Sequence, residues 1–575
     1  MTRDRVERLV NYQTRMKGIG PTGLVLSLAL LRRSIALSIS TRSLRLVAFR
    51  GRSRHTRGFQ PSETFALAAQ ELIASACQGA GSRQHDVRLW PTEGSDVFCW
   101  VQSSLGNEEL AGAASRCVLL HGLFEVWGHG RNREEAVEDA STSRRFTSPG
   151  LSASWSLGVT SYGRSSLSKA EEGLLVGGVV EEYLSSSLGR RIESLDSDIR
   201  MRIIEDTCPP TARNLPRDVQ RSAGAATTRE KRFYICRELQ TGAAVGKGGT
   251  TIATACGRRP IRGVLGVLAL KRRLCRGPTA IEPEVALVMA NFAKVRPGSL
   301  VLDPFCGSCS LLLPAANMGA KTWGSDVRGP ATAASGETLK CLGIETAGRG
   351  RAEVPLQADR DDLEKIHRDY RELGLVPPTL GAADVRDEKS FIRKAGFFDA
   401  IVTDPPYNIK AKVVTANGTM DEVKKSTLTP CEGGSTLTMA LSDSWLQKGP
   451  KNHEESLSEW QAGDGARAEA AANSLVGDVI WSLISLARYT LKPGGRLSFF
   501  LPLRGAEARL DELPRALLEK LRADDGDARL VVVYMTKQRM TSNNMCRWLV
   551  VLEKQTKMMV QMTNDTRLGE DQFTF

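Results

Sequence analysis

The chain has 575 residues, 41% of them hydrophobic, which leaves room for several domains with real cores. Its formal charge of +13 favours a polyanionic partner, but residues 1–59 hold thirteen Lys and Arg against Asp4 and Glu7. The rest of the chain is therefore nearly neutral, and a nucleic-acid surface must be local. Twelve cysteines lack the density and spacing of a secreted disulfide scaffold, which points to a reducing compartment.

Residues 1–60 form a basic leader that is either disordered or targeting, since it is rich in Arg and Ser and poor in acids, like an organellar transit peptide. Its apolar run is broken by Arg32 and Arg33 before reaching spanning length, so no transmembrane helix is expected. From 61 to 185 the pattern predicts a small α+β domain. It has a helix over 62–76, short strands at DVRLW and DVFCWVQ, a helix over 107–115 and the apolar segment CVLLHGLFEVWG. Residues 186–265, Gly- and Arg-rich and poorly patterned, read as a linker or an unresolved sheet.

Order returns at Gly277. A helix over about 283–292 stops at Pro297-Gly298. Strands then alternate with helices: SLVLD to Asp303, KTWGSD to Asp326, a short strand near Leu380 leading to Asp384, and FDAIVTD to Asp404. After a polar insertion, 411–473, a helix VGDVIWSLISLARYTL leads into strand RLSFFLP, and RLVVVYM with CRWLVVLEK form a terminal hairpin. This alternation predicts a mostly parallel sheet over 266–555 with ligands at the strands' carboxyl ends, followed by a tail, 556–575.

Four of those ends carry acids. DPFCGSCS after the first strand is a Gly-containing turn into a helix, without the full G-x-G-x-x-G spacing or a Walker lysine, so an adenosine ligand fits better than ATP or a pyrophosphate. Asp326 is placed to accept from ribose hydroxyls and Asp384 from an adenine amino group. At the fourth end stands Asp404-Pro405-Pro406-Tyr407. An exocyclic amine is a weak nucleophile because its lone pair is delocalised into the base. Asp404 and the Pro405 carbonyl can orient that lone pair, the prolines fix the turn and remove competing donors, and Tyr407 can stack on a base that has left its helix. Cys306-Gly-Ser-Cys309 supplies only half of a four-cysteine zinc site, and no metal is assigned to this chain.

DPFCGSCS followed by TDPPYNIK resembles the S-adenosylmethionine-dependent amino-methyltransferases of DNA, ribosomal RNA and tRNA. LKRRLCRGPTAIEPEVALVMANFAKVRPGSLVLDPFCGS resembles the entry to the catalytic domain of the eukaryotic tRNA (guanine-10-N2)-methyltransferases. The stretch from Asp96 to Ala140 resembles that family's N-terminal region, which is associated with a THUMP-type RNA-binding module. The resemblance implies an α/β, Rossmann-like class I methyltransferase domain preceded by a small α+β THUMP-type domain. It implies S-adenosyl-L-methionine held by Thr279, Asp303, Pro304, Gly307, Asp326 and Asp384, and guanine by Asp404 to Tyr407. It also implies tRNA as substrate, N2-methylguanosine as product, a small zinc-binding activator subunit as partner, no membrane, and a cytoplasmic or, through the leader, organellar location.

The sequence departs from the pattern at Cys309, where glycine is usual and a side chain would crowd the donor. It departs again at Asn408 and Lys410, where Gly and Arg are usual, and in the length of the 411–473 insertion. Alternatives are a ribosomal RNA guanine or an adenine amino-methyltransferase, and a non-catalytic RNA-binding relative. The run Lys271 to Arg273 is either a phosphate contact or a solvated linker.

Overall fold

The computed structural model describes residues 45–49, 61–76, 87–92, 97–143, 154–162, 168–188, 197–207, 231–243, 264–276, 280–326, 357–386, 395–406, 479–504, 517, 521, 528–540 and 545–556. The 411–473 insertion, Thr279 and Tyr407 to Lys410 lie outside these residues, as do 1–44 and 50–60 of the expected leader, whereas Arg45–Phe49 is a buried strand, a correction to the disordered or targeting leader expected over 1–60. The chain divides into two compact units. One comprises residues 1–47, 88–102 and 124–239, the other 48–87, 103–123 and 240–575. This is not the linear division expected from the sequence, because 61–76 and 103–123 pack with the C-terminal unit.

The first unit is built on seven strands, β1 to β7 in chain order, at Arg45–Phe49, Arg88–Pro91, Phe98–Gln102, Leu120–Gly130, Trp155–Tyr162, Ile199–Asp206 and Arg232–Thr241. They form one sheet in the order β2-β3-β1-β4-β7-β6-β5. β5 runs parallel to β6, and β7 antiparallel to β6. Residues 197–207 and 231–243 are thus sheet, which decides between the linker and the unresolved sheet read at 186–265. Polar Arg202 alternates with buried Met201 and Ile203 along β6, the period of a strand with one covered face. Trp127, Trp155, Ile203 and Ile235 join Val180 and Leu184 of the helix Lys169–Ser187 in its core. The helix Arg133–Ser143 lies so close to β4 that a Cβ on Gly128 would meet the Ala136 carbonyl oxygen at 2.0 Å.

The second unit carries strands at Leu300–Asp303 (β8), Lys321–Asp326 (β9), Thr379–Ala382 (β10), Phe398–Thr403 (β11), Leu491–Arg504 (β12), Ala528–Arg539 (β13) and Met545–Thr556 (β14), in the order β10-β9-β8-β11-β12-β14-β13. β10, β9, β8, β11 and β12 are parallel, while β14 enters antiparallel between β12 and β13. The expected hairpin is present, and its second strand lies next to β12. The expected Lys492-Pro-Gly-Gly turn is absorbed as an irregularity, since the register with β11 moves from Phe398↔Leu491 to Ala400↔Arg496 and Gly494 takes φ +77°. Residues 479–490 are helical, and Ile480, Leu483, Ile484 and Ala487 at helical spacing are buried in the core with Phe398, Phe499 and Leu552.

All ten residues of the helix Pro283–Phe292 are buried, with proline tolerated at its first position. On it stands Asn291, whose amide donates to Glu71 at 2.8 Å. Glu71, fully buried on the helix Pro61–Ala76, also accepts from the backbone amides of Val118 and Leu119 at 3.0 Å each. Burial pushes its pKa up to about 7 despite these three donors. Glu553 on β14 receives Lys294 Nζ at 3.0 Å and Arg496 Nε at 2.8 Å. Burial works against that carboxylate, yet Arg496 and then Lys294 hold its pKa below the ordinary glutamate value.

Glu71→Ala leaves two buried amides and the Asn291 side chain without their acceptor, so it is expected to cost about 2–4 kcal/mol. The check is a lower urea midpoint with an unchanged m-value; an unshifted midpoint would show that the carboxylate does not hold these segments together.

Candidate active site

The strand order of the second unit reverses between β8 and β11, and a sheet of this kind binds ligands outside the carboxyl ends of its strands at that reversal. Asp303 ends β8, Asp326 ends β9, Asp384 lies two residues beyond β10, and Asp404 directly follows β11. Parallel pairing places the four on one side of the sheet. That much matches the sequence expectation, but the acids differ in role.

Asp303 is buried, and its Oδ1 accepts from Thr403 Oγ1 at 2.5 Å and from the Phe305 amide at 3.1 Å. It therefore ties the end of β8 to the end of β11 and does not face an open site. Burial pushes its pKa up to about 7. The Thr403 and Phe305 hydrogen bonds pull the other way, and the negative charges of Asp326 and Asp404 add to the rise.

Asp326 Oδ2 accepts from the Gly307 amide at 3.0 Å, and the Cys306 amide donates to the Ser325 carbonyl at 3.0 Å, so the loop after β8 is laid across the end of β9. Gly307 has φ +44°, and nothing stands within 4 Å of the place a Cβ would take. It is a backbone position open to close approach. Gly324 on β9 makes room for the same loop, since a Cβ there would meet Cys306 Sγ at 2.8 Å.

Cys309 also has positive φ, +58°, a conformation that favours the glycine usual at this position. Its side chain is fully buried beside Cys306, not projected into the open space at Gly307, which removes the reason for expecting it to crowd a donor.

Arg273 corrects the reading of the Lys271–Arg273 run. It is buried, lies 3.5 Å from Asp369 Oδ2 and donates to the Ser308 carbonyl, so it supports the loop from behind, while Lys271 and Arg272 are exposed. Asp369 in turn accepts from the Leu274 amide at 2.8 Å.

Asp384 is engaged by Arg386, which donates from Nε to Oδ1 at 2.9 Å and from its terminal nitrogen to Oδ2 at 2.7 Å. Asp404 lies 3.6 Å from a terminal nitrogen of Arg547, a residue of β14. Thr403, Arg386, Asp369 and Arg547 were missed in the sequence, while Arg273 was noted there only as part of the Lys271–Arg273 run. Only Arg547 left a signal there, as a lone charge inside the apolar run CRWLVV.

Among the described residues no group of three or more His, Cys, Asp or Glu could hold a metal, and no helix is long and apolar enough to cross a membrane. Thr279 and Tyr407 lie outside the described residues, while Asp303, Pro304, Gly307, Asp326, Asp384, Asp404, Pro405 and Pro406 stand at or just after the carboxyl ends of β8 to β11.

The raised pKa of Asp303 has a measurable consequence. The unfolded chain releases this proton near 4 and the folded chain near 7. The contribution to stability is therefore full below about 4, falls between 4 and 7, and is constant above. Asp303→Asn keeps an acceptor for Thr403 and loses the titration. Relative to that variant, wild type is expected to lose a few kcal/mol, of order 4 at most, across this window in urea unfolding. A difference independent of pH would contradict it.

Residues 271–449 match the family described as RMKL-like, methyltransferase domain. The tRNA (guanine(10)-N(2))-methyltransferase of Xenopus laevis is 27% identical over 54% of this chain and 52% of its own length. That of Gallus gallus is 23% identical over 85% of each. In the first of these the match spans about half of the curated relative. Among solved structures, TrmN from Thermus thermophilus is 16% identical, covering 89% of this chain and 99% of its own, with a TM-score of 0.32. The segment that carries the four strand-end acids is thus similar to methyltransferase domains, and the chain is similar to tRNA (guanine(10)-N(2))-methyltransferases.

Proposed function

We propose that this chain is an S-adenosylmethionine-dependent tRNA methyltransferase that forms N2-methylguanosine, at position 10 by its likeness to the curated relatives. The observation that carries the reading is the pairing, at one strand reversal, of an open Gly307 loop tied to Asp326 with an Asp404-Pro405-Pro406 turn.

The residues present fit an adenosine donor. Gly307 offers its backbone where a Cβ would otherwise stand, and Asp326 at the end of β9 is half-buried, as an acceptor for ribose hydroxyls should be. Pro304 and Gly307 would line the donor, Asp303 would hold the loop's origin in place, and Thr279 belongs to the same set by resemblance. Asp384 would act near the adenine in combination with Arg386. When bound, S-adenosylmethionine supplies an electrophilic methyl group on a sulfonium.

On the acceptor side, the Asp404 carboxylate and the Pro405 carbonyl accept the two N–H bonds of the guanine amine and turn its lone pair out of conjugation toward the donor. Pro405 and Pro406 add no backbone donor to compete for those acceptors. Asp404 is also the base at hand for the proton the amine gives up. Tyr407 is assigned to stacking on the flipped base.

The N-terminal unit serves in this reading as the THUMP-type RNA-binding part. A small zinc-binding activator subunit completes the enzyme, its zinc held by the partner, and the exposed Val533 and Met535 on the edge strand β13 are apolar surface that such a subunit would cover. The product is made in the cytoplasm, or in an organelle where the Arg- and Ser-rich leader serves as an address.

Unmodified tRNA incubated with the chain, activator subunit and donor should give N2-methylguanosine by nucleoside mass spectrometry. Asp404→Ala should lower the rate roughly 10²- to 10⁴-fold while donor binding persists. N6-methyladenosine instead, or no product despite bound donor and partner, would overturn the assignment.

A further inference from the structure

Arg547 is a charged residue where an apolar one would fold as well. It stands in β14 between Cys546 and Trp548, both buried, and only 11% of its own side chain is exposed. Taking a guanidinium out of water is costly unless it is paired and hydrogen-bonded. Its neighbours meet that demand in a specific geometry.

In the sheet register Arg547 lies opposite Pro502 of β12 on one side and opposite Gln538 of β13 on the other. Residues directly across from one another share a face, as do residues two apart along a strand, so Phe500, Pro502, Arg547 and Gln538 lie on the same face of the sheet. Arg547 Nε donates to Gln538 Oε1 at 2.7 Å, and its guanidinium carbon sits 3.7 Å from the centroid of the Phe500 ring. With Nε tied and its plane stacked, the fork has little freedom left. Its terminal nitrogen then lies 3.6 Å from Asp404 Oδ2, an ion pair somewhat longer than a direct hydrogen bond. Asp404 itself is 14% exposed, so the pair is only weakly screened by solvent.

We propose that Arg547 is a positioning residue for Asp404. Held by Phe500 and Gln538, it draws Oδ2 toward β14 and so aims the carboxylate's other oxygen at the amine to be methylated. This rests on the methyltransferase reading above, and it adds to that reading a residue outside the Asp-Pro-Pro-Tyr turn. Lysine would keep the charge but could neither stack as a plane nor donate from the Nε position to Gln538, so charge alone should restore only part of the function.

The test measures single-turnover methylation of unmodified tRNA by the full chain with its activator. It compares wild type, Arg547→Met, Arg547→Lys, Asp404→Asn and the Arg547→Met/Asp404→Asn double variant, with donor affinity determined for each. The expected result is an about 30-fold or greater loss of rate in Arg547→Met, with donor affinity and half-saturating tRNA within about threefold of wild type, and an intermediate loss in Arg547→Lys. In the Asp404→Asn background Arg547→Met should add less than about threefold, because its action passes through the carboxylate that is already gone.

An Arg547→Met rate within about threefold of wild type would overturn the proposal. So would an equal loss in both backgrounds, the mark of a merely structural role. If Arg547→Met no longer binds donor, Arg547→Lys alone and combined with Asp404→Asn carries the same comparison. A wild-type chain that binds donor and partner yet makes no N2-methylguanosine would overturn the reading on which this rests, and the proposal with it.

Discussion

The hydrogen bond from Thr403 to Asp303 holds together everything at this site. It spans the point where the strand order reverses, and it joins the strand that launches the Gly307 loop to the strand that launches the Asp404 turn. Reacting groups displaced from their proper distance lose much of the rate that orientation supplies. A buried carboxyl accepting from both Thr403 and the Phe305 amide is therefore a constraint on function as much as on fold.

Charge burial recurs through the second unit as the means of fixing geometry. Glu71 ties segments distant in sequence to the helix Pro283–Phe292, Glu553 gathers Lys294 and Arg496, and Arg273 with Asp369 supports the Ser308 carbonyl. Each is specified by direction as well as by energy, unlike apolar packing. Glu71 and Asp303, whose hydrogen-bond donors are neutral, have their pKa raised by burial, while Glu553 between two cations is lowered. Around Gly307 and Asp404 this leaves a rigid frame with open space at one glycine.

Much of the second unit was legible because its signals are local. Strand-length segments ending in Asp303, Asp326 and Asp404 pointed to the parallel sheet and to the end of it where those acids stand, and Pro283 and Pro297-Gly298 bounded a helix correctly. What escaped depends on pairing between distant residues. β6 and β7 lie in a stretch whose composition masks its alternation, so 186–265 could not be told as linker or sheet although it supplies two strands. Asp303 reads as a ligand contact in sequence and is a brace in space, because only the fold brings Thr403 to it. Arg386 beside Asp384 was invisible for the same reason, and Arg547 showed only as a lone charge without its partner Asp404: a periodicity shows which face a side chain takes, not which charge it meets. Within the C-terminal unit, 61–76 and 103–123 are tied together through Glu71, a single acid that nothing in the sequence singles out.

In the proposed enzyme one strand reversal presents the donor on the Gly307 and Asp326 side and the amine on the Asp404 side. A crystal structure of the chain with S-adenosylhomocysteine tests it most directly. The ribose hydroxyls are expected on Asp326, the adenosine passing over Gly307, and the sulfur facing Asp404 and Pro405. A ligand bound elsewhere, or one whose sulfur points away from Asp404, would contradict it.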